Sequence, residues 1–207
     1  QRWKSLEERK PLIIRGARQV GKTTLIRDFA KSYQNAIILN LEKPADKRYF
    51  QDFEDVKTIV EALFLNNGIP SQAISDTLLF IDEIQEVPEA LNILRYFYED
   101  QPGIAVIAAG SMLETLFDKN ISFPVGRVEY MVLRPVSFPE FLSAMDEREA
   151  INYLQQVPAP TFTHDKLMQL FHTYALIGGM PEVIKDLLHY FLSAKCHYLL
   201  ATPPFSC

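Results

Sequence analysis

Three observations predict an α/β fold built on a parallel sheet flanked by helices. Short apolar runs alternate with stretches whose apolar residues recur every three or four positions, the pattern of strands alternating with amphipathic helices. One of these runs, Thr77-Leu78-Leu79-Phe80-Ile81, is apolar almost throughout, as expected of a central parallel strand buried on both faces. The first run, Pro11-Leu12-Ile13-Ile14-Arg15, passes through a glycine-bounded loop straight into a helical pattern carried by Leu25, Ile26, Phe29, Ala30 and Tyr33.

The remaining elements follow in order. Residues 36–41 (Ala-Ile-Ile-Leu-Asn-Leu) read as the second strand, and the charged stretch 42–53 as a loop with a short helix. A helix over 56–66 stops at Asn67-Gly68, a helix-ending signal. The third strand, 77–81, is closed by Asp82-Glu83, and Pro88 suits the first turn of a helix whose core stripe is Leu91, Leu94, Phe97 and Tyr98. Pro102-Gly103 ends that helix. A fourth strand, 104–109, has small residues that let helices pack closely, and it runs into Gly110-Ser111. A short helix over 112–117 and an alternating fifth strand over 126–133 complete the sheet region. Beyond Glu140 the pattern is helical, with segments at 141–149, 150–156, 166–177 and from Pro181 towards Phe191. Val157 to Thr163, with Pro158 and Pro160, reads as a linker. The chain is accordingly divided into a sheet-bearing core, 1–145, and a helical lid or start of a further region, 146–207.

At 207 residues and 48% hydrophobic content the chain can bury a sizeable core without disulfides. Its two cysteines, Cys196 and Cys207, lack disulfide or metal spacing, which fits a reducing compartment and predicts a cytoplasmic protein. No apolar run reaches the roughly 18 residues of a membrane span, and the start lacks a signal-peptide core. It also lacks an initial Met, so the N-terminus is expected to be incomplete. A net charge of −5 with scattered Lys and Arg argues against a dedicated nucleic-acid surface on these residues.

Residues 16–24 read Gly16, Ala17, Arg18, Gln19, Val20, Gly21, Lys22, Thr23 and Thr24, a complete G-x-x-x-x-G-K-[ST] phosphate-binding loop in the strand–loop–helix setting its chemistry needs. Glycines permit the tight turn, and the amides of Gly21, Lys22, Thr23 and Thr24 can face phosphate oxygens at the positive end of the helix dipole. Lys22 supplies charge to the β- and γ-phosphates, and the Thr23 hydroxyl a ligand for Mg²⁺. Asp82 ends a buried strand, where a carboxylate can serve the same metal, and Glu83 beside it can activate the attacking water. The Asn-Lys-x-Asp motif of guanine-binding proteins is absent, which favours ATP. Ser111, at the end of the fourth strand, suits either a γ-phosphate sensor or a helix cap. Arg127 and, more weakly, Arg134 are candidate cations for the charge that develops in phosphoryl transfer, in cis or from a neighbouring subunit. Gln85 and Asn40 are candidates to position water or Glu83. The four histidines show no metal-ligand spacing.

The phosphate loop together with Leu-Phe-Ile-Asp-Glu-Ile-Gln (79–85), Ala-Gly-Ser-Met-Leu (109–113), Gly-Arg-Val-Glu (126–129), Arg-Pro-Val-Ser-Phe-Pro-Glu-Phe-Leu (134–142) and Gly-Gly-Met-Pro-Glu-Val (178–183) resembles the AAA-like P-loop ATPases of bacteria and archaea, in the clade of archaeal-type and signalling ATPases. The resemblance covers about residues 10–187. It implies a P-loop NTPase core of the RecA/AAA-like type, a helical lid and a C-terminal domain of winged-helix or nuclease-like character. After Lys185 the sequence departs from the family pattern, so the chain is expected to be truncated at its C-terminus.

The combined expectation is Mg²⁺-dependent ATP hydrolysis coupled to conformational change in a regulatory or DNA-associated system. Lys22, Glu83, Ser111 and Arg127 are its catalytic candidates, residues 16–24 hold the nucleotide, and Thr23 and Asp82 hold the metal. A slow-turnover ATP switch and a small-molecule kinase are the alternatives. Glu83 directly after Asp82, and the lack of an Arg-rich lid after the fourth strand, weigh against the kinase. A protein partner or self-association is expected, nucleic acid only through a further domain, and no membrane.

Overall fold

The computed structural model describes residues 2–6, 8–53, 55–111 and 126–200. Five strands, β1 (Leu12–Arg15), β2 (Asn35–Asn40), β3 (Thr77–Asp82), β4 (Ala105–Gly110) and β5 (Glu129–Val132), form one wholly parallel sheet in the order β2-β3-β4-β1-β5. Its helices are α1 (Lys22–Ala30), α2 (Pro44–Gln51), α3 (Val56–Asn67) and α4 (Pro88–Asp100). A parallel sheet returns its chain through crossovers on both faces, so its central strands are buried on both sides. Every residue of β3 and β4 is buried accordingly.

The period-2 alternation of the strands sorts their side chains into two cores. Ile13, Ile37, Leu39, Leu79, Ile81, Val106 and Ala108 pack with residues of α2, α3 and α4. Leu12, Ile14, Leu78, Phe80, Ala105, Ile107 and Ala109 pack on the other face with Ile26 and Ala30 of α1, and with Trp3. Strand β2 is an edge strand covered on one face only, which leaves Ile38 exposed between buried Ile37 and Leu39. The helix α3 has a complete set of end signals. Asp55 caps its first turn by accepting from the Thr58 amide, and Gly68 closes it in the left-handed conformation.

The chain divides into two compact units, 1–133 and 134–207. The sequence reading divided it at 145, but Phe138, Phe141 and Leu142 share a core with Leu170, Tyr174 and Ile184 of the later helices. The second unit holds α5 (Phe138–Ala144), α6 (Arg148–Leu154), α7 (His164–Ile177) and α8 (Pro181–Leu200). One helical segment was expected over 141–149. Instead α5 starts earlier, because Ser137 and Glu140 form a reciprocal capping box, and it ends at a turn where Asp146 takes a left-handed conformation. The stretch expected as a linker, 157–163, belongs to the second unit and closes with the short turn Thr161–Thr163, whose Thr163 is buried. The short helix expected at 112–117 lies outside the described residues. No helix of the described residues is long and apolar enough to cross a membrane.

Leu79 is fully buried between the sheet and the α3/α4 layer. Leu79→Ala is expected to cost about 2–5 kcal/mol of unfolding free energy. Urea denaturation of the chain checks this.

Candidate nucleotide site

In a parallel α/β sheet the C-terminal strand ends gather at one edge, where loops can converge on a ligand. Loop 16–21 leaves β1 there and enters α1. Its turn depends on two glycines. Gly21 adopts φ 90° at the N-cap of α1, a conformation few other residues tolerate. A Cβ on Gly16 would stand 2.2 Å from the Leu133 carbonyl oxygen. Leu133 is held there by donating its amide to the Arg15 carbonyl at 2.8 Å. Val20 is buried, whereas Ala17, Arg18, Gln19 and Thr24 are exposed.

The side chain of Lys22 is almost wholly buried and folds back over the loop. Its ammonium donates to the carbonyls of Gly16 and Ala17, each at 2.8 Å. Burial pushes its pKa down, partly opposed by the charges of Glu83 and Asp82. The Thr23 hydroxyl donates to Asp82 Oδ2 at 2.7 Å, and the Glu83 amide donates to Asp82 Oδ1 at 3.1 Å. Asp82 is 6% exposed, and its desolvation raises its pKa despite the Thr23 hydrogen bond. Both charges are therefore poorly compensated in the nucleotide-free protein. Phosphate would supply the anion that Lys22 lacks, and a hard divalent cation would suit the paired oxygens of Thr23 and Asp82. On this donor set the residues present fit Mg²⁺, with Thr23 and Asp82 as the side chains that would hold it.

The remaining candidates separate by position. Gly110 is in register with Arg15, so Ser111 leaves β4 at the level where Gly16 leaves β1. Since β4 lies between β1 and β3, Ser111 sits between the phosphate loop and the end of β3 that carries Asp82. Its hydroxyl is buried without a hydrogen-bond partner among the described residues. Glu83 follows β3 in a left-handed conformation, φ 52°, and accepts a hydrogen bond from the Gln85 amide. Asn40 is in register with Asp82, but its side-chain oxygen accepts the Glu42 amide at 2.9 Å and so caps its own turn.

Arg127 is not brought to the loop. Strand β5 runs parallel to β1 with Glu129 opposite Leu12 and Val132 opposite Arg15, so Arg127 precedes β5 at the opposite edge of the sheet. There it pairs with Glu99 at 2.6 Å. That position corrects the expectation of a cis role: sequence spacing alone does not say which end of a strand a neighbouring residue falls on. The left-handed backbone of Glu83, at the start of the turn whose Ile84 is buried, is likewise not announced by the sequence.

A parallel sheet with β4 inserted between the loop strand and the acidic strand, and a phosphate loop at its C-terminal edge, is the fold of P-loop NTPases. The AAA domain family matches residues 8–142, and the chain belongs to that family. Among solved structures, a chain from the structure of Drosophila ORC bound to DNA is similar over 87% of this chain at 16% identity, with a TM-score of 0.49. This chain spans 56% of the length of that one. No curated protein matches the sequence.

Asp82→Asn keeps the shape of the side chain and removes its buried charge. Asp82 holds its proton more tightly folded than unfolded, so stability falls as pH rises from the ordinary carboxylate pKa through the raised one and stays reduced above it. Without nucleotide at pH 7, Asp82→Asn is expected to melt above the wild type, and the difference is expected to shrink on acidification. Differential scanning calorimetry across pH 4–8 would show it. Gly16→Ala is expected to weaken ATP binding tenfold or more, about 1.4 kcal/mol, because the new methyl group collides with backbone. Titration with a fluorescent ATP analogue reads this directly.

Proposed function

We propose that this chain binds ATP together with Mg²⁺ and hydrolyses it, and that hydrolysis drives a conformational change in a regulatory or DNA-associated system. The observation that carries the proposal is the convergence of Lys22, Thr23, Asp82 and Glu83 at one strand edge. Two of these, Lys22 and Asp82, are buried charges in want of a ligand. Bound Mg²⁺ would screen the phosphate charge and orient the terminal phosphoryl group.

The chain's own residues divide the work. The loop amides and Lys22 bind the phosphates, and Lys22 exchanges its two carbonyl partners for phosphate oxygens. Glu83 accepts a proton from water as the water oxygen bonds to the γ-phosphorus. The bond to the β–γ bridging oxygen breaks, and its electron pair leaves with ADP. The Ser111 hydroxyl, without a hydrogen-bond partner among the described residues, donates to the γ-phosphate and so reports its presence to β4. A reducing, cytoplasmic setting accompanies this reading.

A slow ATP switch is the second reading, and the placement of Arg127 favours it. With Arg127 engaged by Glu99 at the far edge, this arginine offers no cis cation to the charge that develops in the transition state, and a partner or a second copy could supply one.

The test is phosphate release from ATP, with and without Mg²⁺. Wild type is expected to turn over, Glu83→Gln to bind ATP but lose at least ~100-fold in rate, and Lys22→Ala to lose binding. If a second copy supplies the cation, turnover per chain rises with protein concentration; a flat, near-zero rate with tight binding would establish the switch. Absence of ATP binding would contradict both readings.

A further inference from the structure

Gln85 stands in an unusual position among the polar residues of the site. Its side-chain amide donates to Glu83 Oε2, while its own Oε1 is buried with no hydrogen-bond partner among the described residues. The Glu83 carboxylate is therefore the one hydrogen-bond partner of this side chain among the described residues. The backbone beneath is fixed. Residues Ile84–Glu86 form a single 3₁₀ turn, closed by the Glu86 amide on the Glu83 carbonyl at 3.0 Å and the Val87 amide on the Ile84 carbonyl at 3.2 Å. Ile84 and Val87 anchor that turn in the core, at 0% and 1% exposure. Asn40, in register with Asp82, is committed to capping its own turn.

We propose that Gln85 is a positioning residue that holds the Glu83 carboxylate by one oxygen and so fixes its other oxygen for the attacking water; this rests on the hydrolase reading above. With Oε2 engaged, Glu83 presents a single oxygen to water. A water that donates to this one oxygen keeps a lone pair free for in-line attack on a phosphoryl group. During the reaction the proton still passes to Glu83, and Gln85 undergoes no net change.

Gln85→Met keeps length and burial but removes both hydrogen-bonding functions. In the full chain it is expected to lower kcat by roughly tenfold or more while leaving KM, ATP affinity and Tm close to wild type. In a Glu83→Gln background it is expected to add no further loss, because it acts through Glu83. A readout independent of turnover is the side-chain amide signal of Gln85 in the ¹⁵N spectrum of the nucleotide-free protein. That signal is identified by its loss in Gln85→Met and is expected to move to the position of a solvent-exposed amide in Glu83→Ala.

An unmoved signal in Glu83→Ala would overturn the contact. An unchanged or raised kcat in Gln85→Met, or a fall matched by lost ATP affinity, would overturn the positioning role while leaving the hydrolase reading intact. Wild-type protein that binds ATP without hydrolysing it would sink that reading, and the seating of water with it.

Discussion

The hydrogen bond between Thr23 and Asp82 joins residues 59 positions apart, and it constrains the site more than any other single contact. One partner opens the helix after the phosphate loop, and the other ends β3, a strand buried along its whole length. For them to meet, β1 and β3 must end at the same edge, with β4 between them and α1 packed across the Leu78/Phe80 face. A shift of β3 by one residue would turn Asp82 to the opposite face of the sheet and exchange its two cores. Packing and function therefore depend on the same register. This is why the core residues of β3 precede the acidic pair without a break.

The same contact explains the electrostatics. Asp82 and Lys22 are among the few charged or polar side chains that the first unit buries deeply, together with Thr77. Burial of a charge is costly, and here it is only partly repaid by hydrogen bonds within the chain. Lys22 rests on loop carbonyls and Asp82 on one hydroxyl and one amide. A site organised in this way gives up stability without its ligand and regains it on binding.

Much of the fold was legible in the sequence because its signals are local. The unbroken apolar run 77–81 identified the central strand, the loop motif fixed the strand–helix junction, and Gly68 marked the end of α3. Lys22, Thr23, Asp82 and Glu83 could be chosen for the same reason: each is tied to a strand end or to the loop itself. What escaped depends on three-dimensional packing. The helices α5 and α6 were drawn in the wrong frame because the Ser137–Glu140 capping box and the left-handed Asp146 outweigh apolar spacing. Arg127 is a candidate by the chemistry of its side chain alone; only the register against β1 shows that it precedes β5 at the end away from the loop. Gln85 was legible as a candidate to position Glu83, whereas the turn geometry that joins the two side chains was not.

The central claim is that Thr23 and Asp82 act as one metal-binding unit for a phosphate-bound nucleotide. It is tested most directly by measuring ATP affinity by calorimetry in Mg²⁺ and in EDTA, for wild type, Thr23→Val, Asp82→Asn and the double variant. Wild type should bind more tightly with Mg²⁺, each single variant should lose that increment, and the double variant should lose no more than either. Equal wild-type affinity with and without the metal, or losses that simply add, would contradict the account.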